Sequence, residues 1–349
     1  MRQTSVLVTG GSGFFGRILV QHLLEEGYYC VSVDLLESDL KHPHLTCIQA
    51  DVRDASRLEQ IMKDANVESV VHCAALLAHI RVSEADMQSI NVDGTRSVAL
   101  AASRVGAAAF VFISTNCLWA QGFEYPVAED QAVRPIEAYG RSKRDAEMLL
   151  LHEFGKSMRV VVIRTPTIID AGRLGLLSIL FEFVEDGKKV WMVGNGDNRY
   201  QFIFAGDLAR AVCAALRTAA TGTFHVGSDN VPTMREMYRA LISHAGSSST
   251  LRALPRWLVL PALALLDALR LSPLGPYQYR MISESFIFDT SRARSVLGWS
   301  PTLSNSEILT LAYDHFANSM EGGSGKAGSL SPHRQRSRLG VLRIVKWLS

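Results

Sequence analysis

The chain has 349 residues, of which 48% are hydrophobic and 20% charged, which excludes a disordered chain and provides enough apolar side chains for a sizeable core. A formal net charge of only +2 gives no electrostatic reason to expect a nucleic-acid partner. The five cysteines are scattered and lack C-x-x-C spacing, so we predict free thiols in a reducing cytoplasm and neither a disulfide framework nor a metal site.

Apolar, β-branched segments alternate with segments of helical periodicity through the first half of the chain. The predicted strands are Ser5–Thr9, Tyr29–Asp34, Thr46–Ala50, Ser69–Ala74, Phe110–Ser114 and Val160–Arg164. The predicted helices are Gly13–Glu26, Ala55–Asp64, Ser83–Val105 and Glu137–Phe154. Because the strands lack a polar face, we predict an α/β fold of the Rossmann type, with a doubly wound parallel sheet covered by helices on both sides. The first strand begins too early to leave room for a signal peptide.

Four glycines follow the first predicted strand within seven positions, in "TGGSGFFG". Glycine weakens strands and helices, so this pattern indicates a backbone that another group approaches closely. A strand, a tight turn and a helix N-terminus together provide unpaired amides and a helix dipole, which favour a phosphate group. An ordinary glycine-rich turn is the alternative.

Asp34 ends the second predicted strand, about twenty residues after the glycines, where a carboxylate can accept hydrogen bonds from an adenosine ribose. The segment that follows, "LLES", adds Glu37 and contains no cation to bind a 2′-phosphate. Together with the glycines, Asp34 predicts a pyrophosphate-binding turn and NAD, rather than NADP, as the cofactor.

These and later motifs resemble those of the extended short-chain dehydrogenases/reductases, the NAD-dependent epimerase/dehydratase family. Thr9–Gly16 is similar to the family's T-G-x-x-G-x-x-G, and "YGRSK", Tyr139–Lys143, is similar to its Y-x-x-x-K. The other similar segments are "DVRD" (Asp51–Asp54), "HCAA" (His72–Ala75), "NVDGT" (Asn91–Thr95), "STNCLWA" (Ser114–Ala120), "NRYQFIFAGDLA" (Asn198–Ala209) and "DTSRARSVLGWSP" (Asp289–Pro301). The resemblance covers about residues 1–318.

The resemblance implies a catalytic set of Thr115, Tyr139 and Lys143, supported by Asn91. It also implies cofactor contacts at Gly10, Gly13, Phe14, Phe15, Gly16, Asp34, Asp51, Val52, Ala74, Tyr139 and Lys143. Within that set, Asp51 is implied as the partner of the adenine amino group.

The spacing of Tyr139 and Lys143 also indicates their chemistry. Tyr139 and Lys143 are four residues apart, so on a helix they share one face. A tyrosine with an ordinary pKa near ~10 is a poor base at neutral pH, whereas a nearby ammonium and a nicotinamide cation favour tyrosinate. Tyr139 could then remove a hydroxyl proton while Thr115 holds the same oxygen. A surface Tyr/Lys pair is the alternative.

Three further side chains are candidate substrate ligands: Asn116, Arg164 and Arg199. Arginine binds phosphate or carboxylate bidentately, but these two arginines are equally expected to pair with carboxylates inside the fold. We expect His72 to be structural, and Cys117 to pack rather than act as a nucleophile, since no activating base is identifiable.

One departure from the family bears on the reaction. Family 4,6-dehydratases carry an Asp-Glu pair directly after the catalytic Ser/Thr, and here Asn116 and Cys117 occupy those positions. We therefore do not expect dehydration.

Two C-terminal segments lie apart from these motifs. Trp257–Leu271 is strongly apolar but too short to span a bilayer, and we expect a normally packed helix or a pocket lid. It also resembles the sterol-dehydrogenase branch of the family, where an apolar helix covers a lipid-like substrate. From Gly322 a Gly/Ser-rich linker leads to a basic and apolar tail. We expect this tail to be disordered or to dock as a short helix on the enzyme or on a neighbouring subunit, with weak binding to an anionic inner membrane face as the alternative.

The sequence therefore predicts three parts: an NAD-binding Rossmann domain at 1–165, a mixed substrate lobe at 166–320, from which some elements return to the first domain, and a linker and amphipathic tail at 321–349. The main hypothesis is a nucleotide-sugar epimerase. The alternatives are a dehydrogenase or reductase of a hydrophobic alcohol or ketone, and a non-catalytic NAD sensor, against which the intact catalytic set argues. The resemblance also implies a homodimer formed through helices of the first domain.

Overall fold

The computed structural model describes residues 4–77, 82–171, 177–269 and 275–321. Its strands are β1 (Ser5–Thr9), β2 (Tyr29–Asp34), β3 (Leu45–Gln49), β4 (Ser69–His72), β5 (Ala109–Ile113), β6 (Arg159–Arg164), β7 (Thr167–Ile169), β8 (Val190–Val193), β9 (Phe202–Phe204), β10 (Gly222–His225) and β11 (Leu251–Leu254). Its helices are α1 (Phe14–Glu25), α2 (Ala55–Asp64), α3 (Glu84–Gln88), α4 (Gly94–Arg104), α5 (Ala138–Leu149), α6 (Leu177–Glu185), α7 (Ala205–Arg217), α8 (Met234–His244), α9 (Arg256–Ala268), α10 (Pro276–Met281), α11 (Ser291–Leu297) and α12 (Asn305–Glu321).

Seven parallel strands form the central sheet, in the order β10-β6-β5-β4-β1-β2-β3. The chain leaves β3 at one edge and returns to pair β4 with the other side of β1, with Thr9 opposite His72. The strand order reverses at this point, and in such sheets ligands bind in the crevice outside the carboxyl ends of the strands. The predicted Rossmann-type parallel fold is confirmed.

Both faces of the sheet are buried, which explains why its strands lack a polar face. In β1, Val6 and Val8 pack with α1 and α7, whereas Leu7 between them packs on the opposite face with α2 and α4. All three residues are fully buried. Apolar burial of this kind contributes about 25 cal/mol per Å² and holds the helices on both faces.

The six predicted strands are present, two with the predicted bounds and four with ends displaced by one or two residues. The predicted helix Ser83–Val105 is not one regular helix, because a π-helical turn at Ser89–Asp93 separates α3 from α4. A second π-helical turn, Leu150–Phe154, ends the helix predicted at Glu137–Phe154. An inserted π turn changes the apolar spacing too little to be seen in a helical periodicity.

The part of the chain after residue 165 completes the sheet. β10 pairs with β6 in parallel, and α7 covers β1 together with α1. A separate core buries Phe181, Leu241 and Phe316 among α6, α8 and α12. Residues 166–320 thus contribute both to the first layer and to a smaller body of their own, while the predicted tail lies beyond Glu321, outside the described residues.

The apolar segment predicted to be a normally packed helix or a pocket lid forms α9, and of these two expectations the normal packing is wrong for the described residues. None of its residues is buried. Apolar composition predicts that a helix will be covered, and here the described part of the chain places nothing over one whole side of it. In the described residues, moreover, the helices are too short or too polar to cross a membrane.

Candidate active site

A tight turn joins β1 to α1. Gly10 has a positive φ of 71°, and a Cβ atom there would lie 2.7 Å from the backbone nitrogen of Ala74. A Cβ atom at Gly16 would lie 2.0 Å from the carbonyl oxygen of Gly10. Gly13 precedes the first turn of α1 and has no side chain to cap it. The backbone is therefore packed against itself and leaves the positive end of the helix dipole uncovered by side chains, which suits an anion.

Asp34 lies beside this turn, at the end of β2. One oxygen of its carboxylate accepts a hydrogen bond from the backbone N–H of Ser12 at 3.0 Å, and the other accepts one from Leu36 at 3.0 Å. The exposed Glu37 follows three residues later. Asp34 is therefore bound to the turn through Ser12, and Glu37 remains a predicted second negative charge near it.

The turn after β3 brings Asp51 and Val52 to the same edge of the sheet. Asp51 is hydrogen-bonded by the guanidinium of Arg53 at 3.0 Å, which lowers the pKa of its carboxyl group. Val52 is buried against α4, where a Cβ atom on Gly94 would lie 2.9 Å from its side chain. The Arg53 contact was not predicted, and it leaves only part of the Asp51 carboxylate open to a ligand.

His72, at the end of β4, is held between two threonines. Its Nδ1 lies 2.6 Å from the Thr9 hydroxyl and its Nε2 lies 3.0 Å from the Thr95 hydroxyl. Burial lowers its pKa to about 3, so the ring is neutral, and it stacks on Phe112. Both nitrogens are engaged, which leaves no role for His72 as an acid or base.

Asn91 lies in the π-helical turn between α3 and α4, a feature that often marks functional sites. Its amide donates to the carbonyl of Leu76 at 3.0 Å and to the hydroxyl of Ser142 at 2.9 Å, and its oxygen accepts from the N–H of Leu76 at 2.8 Å. Asn91 thus fixes the loop after β4 against α5, one residue before Lys143. Asn91 therefore positions the loop after β4 relative to α5.

Thr115 follows β5 and caps a short 3₁₀ turn, Asn116–Leu118, by accepting a hydrogen bond from the N–H of Cys117 at 3.1 Å. This turn lies directly against α5, since a Cβ atom on Gly140 would lie 2.3 Å from the carbonyl oxygen of Cys117. The glycine that follows Tyr139 therefore allows the Thr115 turn and the Tyr139 helix to meet.

Tyr139 and Lys143 lie one helical turn apart in α5, as predicted. Tyr139 is partly buried, whereas Lys143 is only 3% exposed, with its ammonium nitrogen 3.8 Å from the centre of the Phe112 ring. Burial lowers the pKa of Lys143 to about 7, against an opposing effect of the Glu147 carboxylate. The site therefore holds a cationic group that can exchange a proton near neutral pH.

The two candidate substrate arginines have partners within the protein. Arg164 makes a buried bidentate ion pair with Glu147, with N–O distances of 2.8–3.1 Å. The exposed Arg199 donates to the carbonyl oxygen of Val231 at 2.6 Å. For Arg164 the structure therefore has the internal carboxylate pair, because Glu147 faces it across the core. Arg199 donates to backbone, and no carboxylate of the described residues lies within ion-pair distance of it.

The sequence did not predict a polar network that begins at Asn116, the residue after Thr115. Asn116 donates to the hydroxyl of Tyr200 at 2.9 Å, and that hydroxyl lies 3.3 Å from the hydroxyl of Tyr277 in α10. The N–H of Tyr277 donates to Glu137, two residues before Tyr139, at 2.7 Å. Tyr200 lies in a segment with family resemblance, but no local pattern places Tyr277 here. Burial raises the pKa of the adjacent Cys117 thiol to about 12, which makes it a poor nucleophile.

A family model described as "NAD dependent epimerase/dehydratase family" matches residues 6–227. Over 345 residues the chain is 33% identical to uncharacterized protein y4nG of Sinorhizobium fredii, covering 98% of this chain and 86% of that protein. It is 24% identical to 3beta-hydroxysteroid-dehydrogenase/decarboxylase isoform 2 of Arabidopsis thaliana, covering 92% of this chain and 63% of that protein. It is 27% identical to UDP-glucose 4-epimerase of Mycolicibacterium smegmatis, covering 89% of this chain and 98% of that enzyme.

Among solved structures, the fold is similar to the Bordetella bronchiseptica enzyme WbmG, crystallised in complex with NAD and UDP. The TM-score is 0.74 at 20% sequence identity, and the match covers 91% of this chain and 96% of that chain. At this identity the likeness establishes a shared fold.

Glu147→Gln should destabilise the protein by about 3 kcal/mol, because it leaves the buried Arg164 guanidinium without a counter-charge. The control is Glu153→Gln, which breaks an exposed pair with Arg96 and should cost less than about 1 kcal/mol. Urea unfolding of both variants measures the difference. Equal losses would show that burial of the Arg164 pair contributes nothing.

Lys143→Met should stabilise the cofactor-free protein more at pH 6 than at pH 9. Between the folded pKa of about 7 and the unfolded value near ~10.4, the unfolded chain binds more protons, so wild-type stability rises with pH across that window. Below it the wild type carries the full cost of a buried ammonium, which methionine removes. Lys63→Met, at an exposed lysine of α2, is the control and should show no such pH dependence. A variant with equal effects at both pH values would refute the buried-charge assignment.

Proposed function

The chain belongs to the NAD-dependent epimerase/dehydratase family, and from this premise we propose that it transfers a hydride between a secondary carbinol or ketone and NAD. The observation that carries the proposal is the convergence of Thr115, Tyr139 and Lys143 at one edge of the sheet. Thr115 follows β5, and α5 lies against its turn. The glycine turn follows β1 at the same edge, because all seven strands are parallel.

The residues present fit NAD. The first amides of α1, at Phe14, Phe15 and Gly16, would hold the pyrophosphate. The close backbone contact at Gly10 excludes a larger side chain from the turn in front of these amides. Asp34 would bind the adenosine ribose, and Asp51 with Val52 would border the adenine. Ala74, whose nitrogen lies against Gly10, would line the cofactor where β4 ends.

When bound, NAD supplies a hydride acceptor beside the carbinol carbon. In the proposed reaction Tyr139 removes the proton from the hydroxyl group, and Thr115 donates a hydrogen bond to the same oxygen. The ammonium of Lys143 favours the tyrosinate form, since an opposite charge nearby stabilises the ionised group. Asn91 holds Ser142 and so fixes the rotation of the α5 turn that carries Lys143.

The substrate we propose is a nucleotide sugar, which an epimerase oxidises and reduces again at one carbon. Support comes from the epimerase among the relatives and from the UDP bound by the structural neighbour. Neither Asn116 nor Cys117 offers the acid and base that water loss needs, so dehydration is not part of the proposal.

A second candidate is a dehydrogenase or reductase of a hydrophobic hydroxyl or keto compound. The observation that favours it is α9, whose uncovered side is apolar, together with the steroid dehydrogenase among the relatives. In this case reduced cofactor accumulates with turnover, whereas an epimerase returns the hydride.

We propose a homodimer and a cytoplasmic location as well. Met148 and Leu151, 52% and 37% exposed, form an apolar surface at the end of α5 that a second copy would cover. All five cysteines are free thiols, which suits a reducing compartment.

The choice of cofactor is testable at Asp34. NAD should bind at least ~10-fold more tightly than NADP, a gap of about 1.4 kcal/mol, because Asp34 and Glu37 repel a 2′-phosphate. Asp34→Ala should narrow this gap, and Asp64→Ala, on the exposed side of α2, should not. Calorimetry gives both affinities, and equal binding of the two cofactors by the wild type would contradict the assignment.

The reaction is testable by adding UDP-, GDP- or dTDP-sugars, or sterols, to the protein with NAD. Absorbance at the NADH band and analysis of the products identify the substrate and separate an epimerase from a net dehydrogenase. With the active substrate, Tyr139→Phe should lower turnover by roughly 10² or more while NAD binding is kept.

Tyr125→Phe, at a 61% exposed tyrosine, is the matched control and should keep its activity. Near wild-type turnover of Tyr139→Phe would eliminate Tyr139 as the acid/base. Absence of hydride transfer with every sugar and sterol would count against the substrate proposals, while NAD binding would still be measured separately.

A further inference from the structure

Helix α9 presents an apolar side that the described part of the chain leaves uncovered. Its most exposed large side chains are Trp257, Leu258 and Leu265, at 77%, 54% and 62%, and Leu269 directly after the helix is 58% exposed. Pro261, Ala262 and Ala268 are the other exposed apolar residues of the same side. These positions recur at intervals of three to four, so they form one stripe along the helix, which we call the α9 stripe.

The opposite side of α9 is only half-buried and packs towards α10. It carries the one acidic residue of the helix, Asp267, whose charge acts on Glu137. The α9 stripe itself therefore contains no charged group. Soluble monomers rarely expose apolar surface of this continuity, and such patches mark sites of interaction.

The α9 segment is rich in arginine, since residues 252–281 contain four arginines and one acidic residue, the half-buried Asp267. Arg252 precedes the helix and Arg280 lies in the neighbouring α10, both exposed and without an ion pair among the described residues. Arg256, in the first turn, is paired with Glu284, and the exposed Glu124 and Asp197 line the pocket beside it. In the sequence, Arg270 follows the helix, and residues 322–349 contain six Lys/Arg and no acidic residue.

This charge distribution decides between three occupants. The C-terminal segment of the chain would bring further cations against Arg252 and Arg280. A second copy that met the α9 stripe with its own stripe would bring the same excess of arginine in residues 252–281 to the contact. An anionic lipid surface supplies both an apolar phase for the stripe and negative headgroups for the arginines.

We propose that the α9 stripe docks on an anionic bilayer surface, with the helix lying in the plane of the interface. Thirteen residues span about 20 Å, a length suited to lying along a membrane and not to crossing it. Trp257, with an apolar ring and a polar N–H, is a side chain preferred at the headgroup level. The proposal holds for either candidate substrate.

The test is co-flotation of the full-length protein with vesicles of phosphatidylcholine alone or with phosphatidylglycerol. Wild type should float with the anionic vesicles, and Trp257→Ser combined with Leu265→Ser should reduce the bound fraction about 10-fold or more. The control pair, Val296→Ser with Leu311→Ser, changes exposed apolar residues of α11 and α12 and should bind as wild type does. Thermal melting and NAD binding check that both double variants are folded.

Three results would overturn the proposal: no binding of wild type to anionic vesicles, equal binding of the α9 double variant, or equal loss in the control pair. A change of oligomeric state in the α9 variant, seen by light scattering without loss of vesicle binding, would identify the stripe as an interface between copies. Should the double variant not fold, brominated lipids provide a second measurement. They should quench tryptophan emission of wild type more than that of Trp257→Phe, and equal quenching would count against docking.

Discussion

The ammonium group of Lys143 is the constraint around which the site is arranged. A charge removed from water costs several kcal/mol even after the protein relaxes, and the carboxylate nearest to it in α5, Glu147, is bound to Arg164. Among the contacts of the described residues, Lys143 lies over the face of the Phe112 ring, a weaker partner than a carboxylate. In the proposed reaction this ammonium acts on the oxygen of Tyr139 and on the bound cofactor. The Glu147–Arg164 ion pair contributes to the low pKa of Lys143, because it limits how far the Glu147 carboxylate can stabilise the lysine's charge.

The elements around Lys143 restrict its freedom. Asn91 bonds both the loop after β4 and Ser142, so the turn of α5 that carries the lysine cannot rotate independently of the sheet. Gly140 lets the Thr115 turn approach α5 more closely than any other residue would allow. The loop after β4, the Thr115 turn and α5 are thus held against one another, which is the fixed geometry that the proposed reaction at one oxygen atom would require.

Local patterns were sufficient for the parts of the site that a strand-turn-helix unit contains. The glycines, Asp34 and the Tyr139–Lys143 spacing all follow from short-range geometry, and the structure places them where the pattern indicates. Local patterns do not predict the ion pair of Arg164, because its partner Glu147 is on a helix whose side-chain directions depend on packing. The contact between Tyr277 and Tyr200 is even less predictable from local patterns, since it joins α10 to a loop 77 residues away in the sequence. For α9, the same apolar composition is compatible with a covered and an uncovered helix, and only the surroundings distinguish them.

Strand β10, Gly222–His225, is synthesised after the other six strands of the central sheet, which leaves one edge of that sheet open during translation. Until β10 has been synthesised, β6 is the edge of the growing sheet, and its four central residues, Val160–Ile163, are apolar and buried in the finished protein. At roughly 5–20 residues per second, about 60 residues separate the two strands by several seconds of translation. During that interval an open edge could pair with another nascent chain. Arg159 begins the apolar run, and a cation at the start of so short a strand opposes its pairing with a copy of itself, whereas Arg164 at the other end is paired with Glu147.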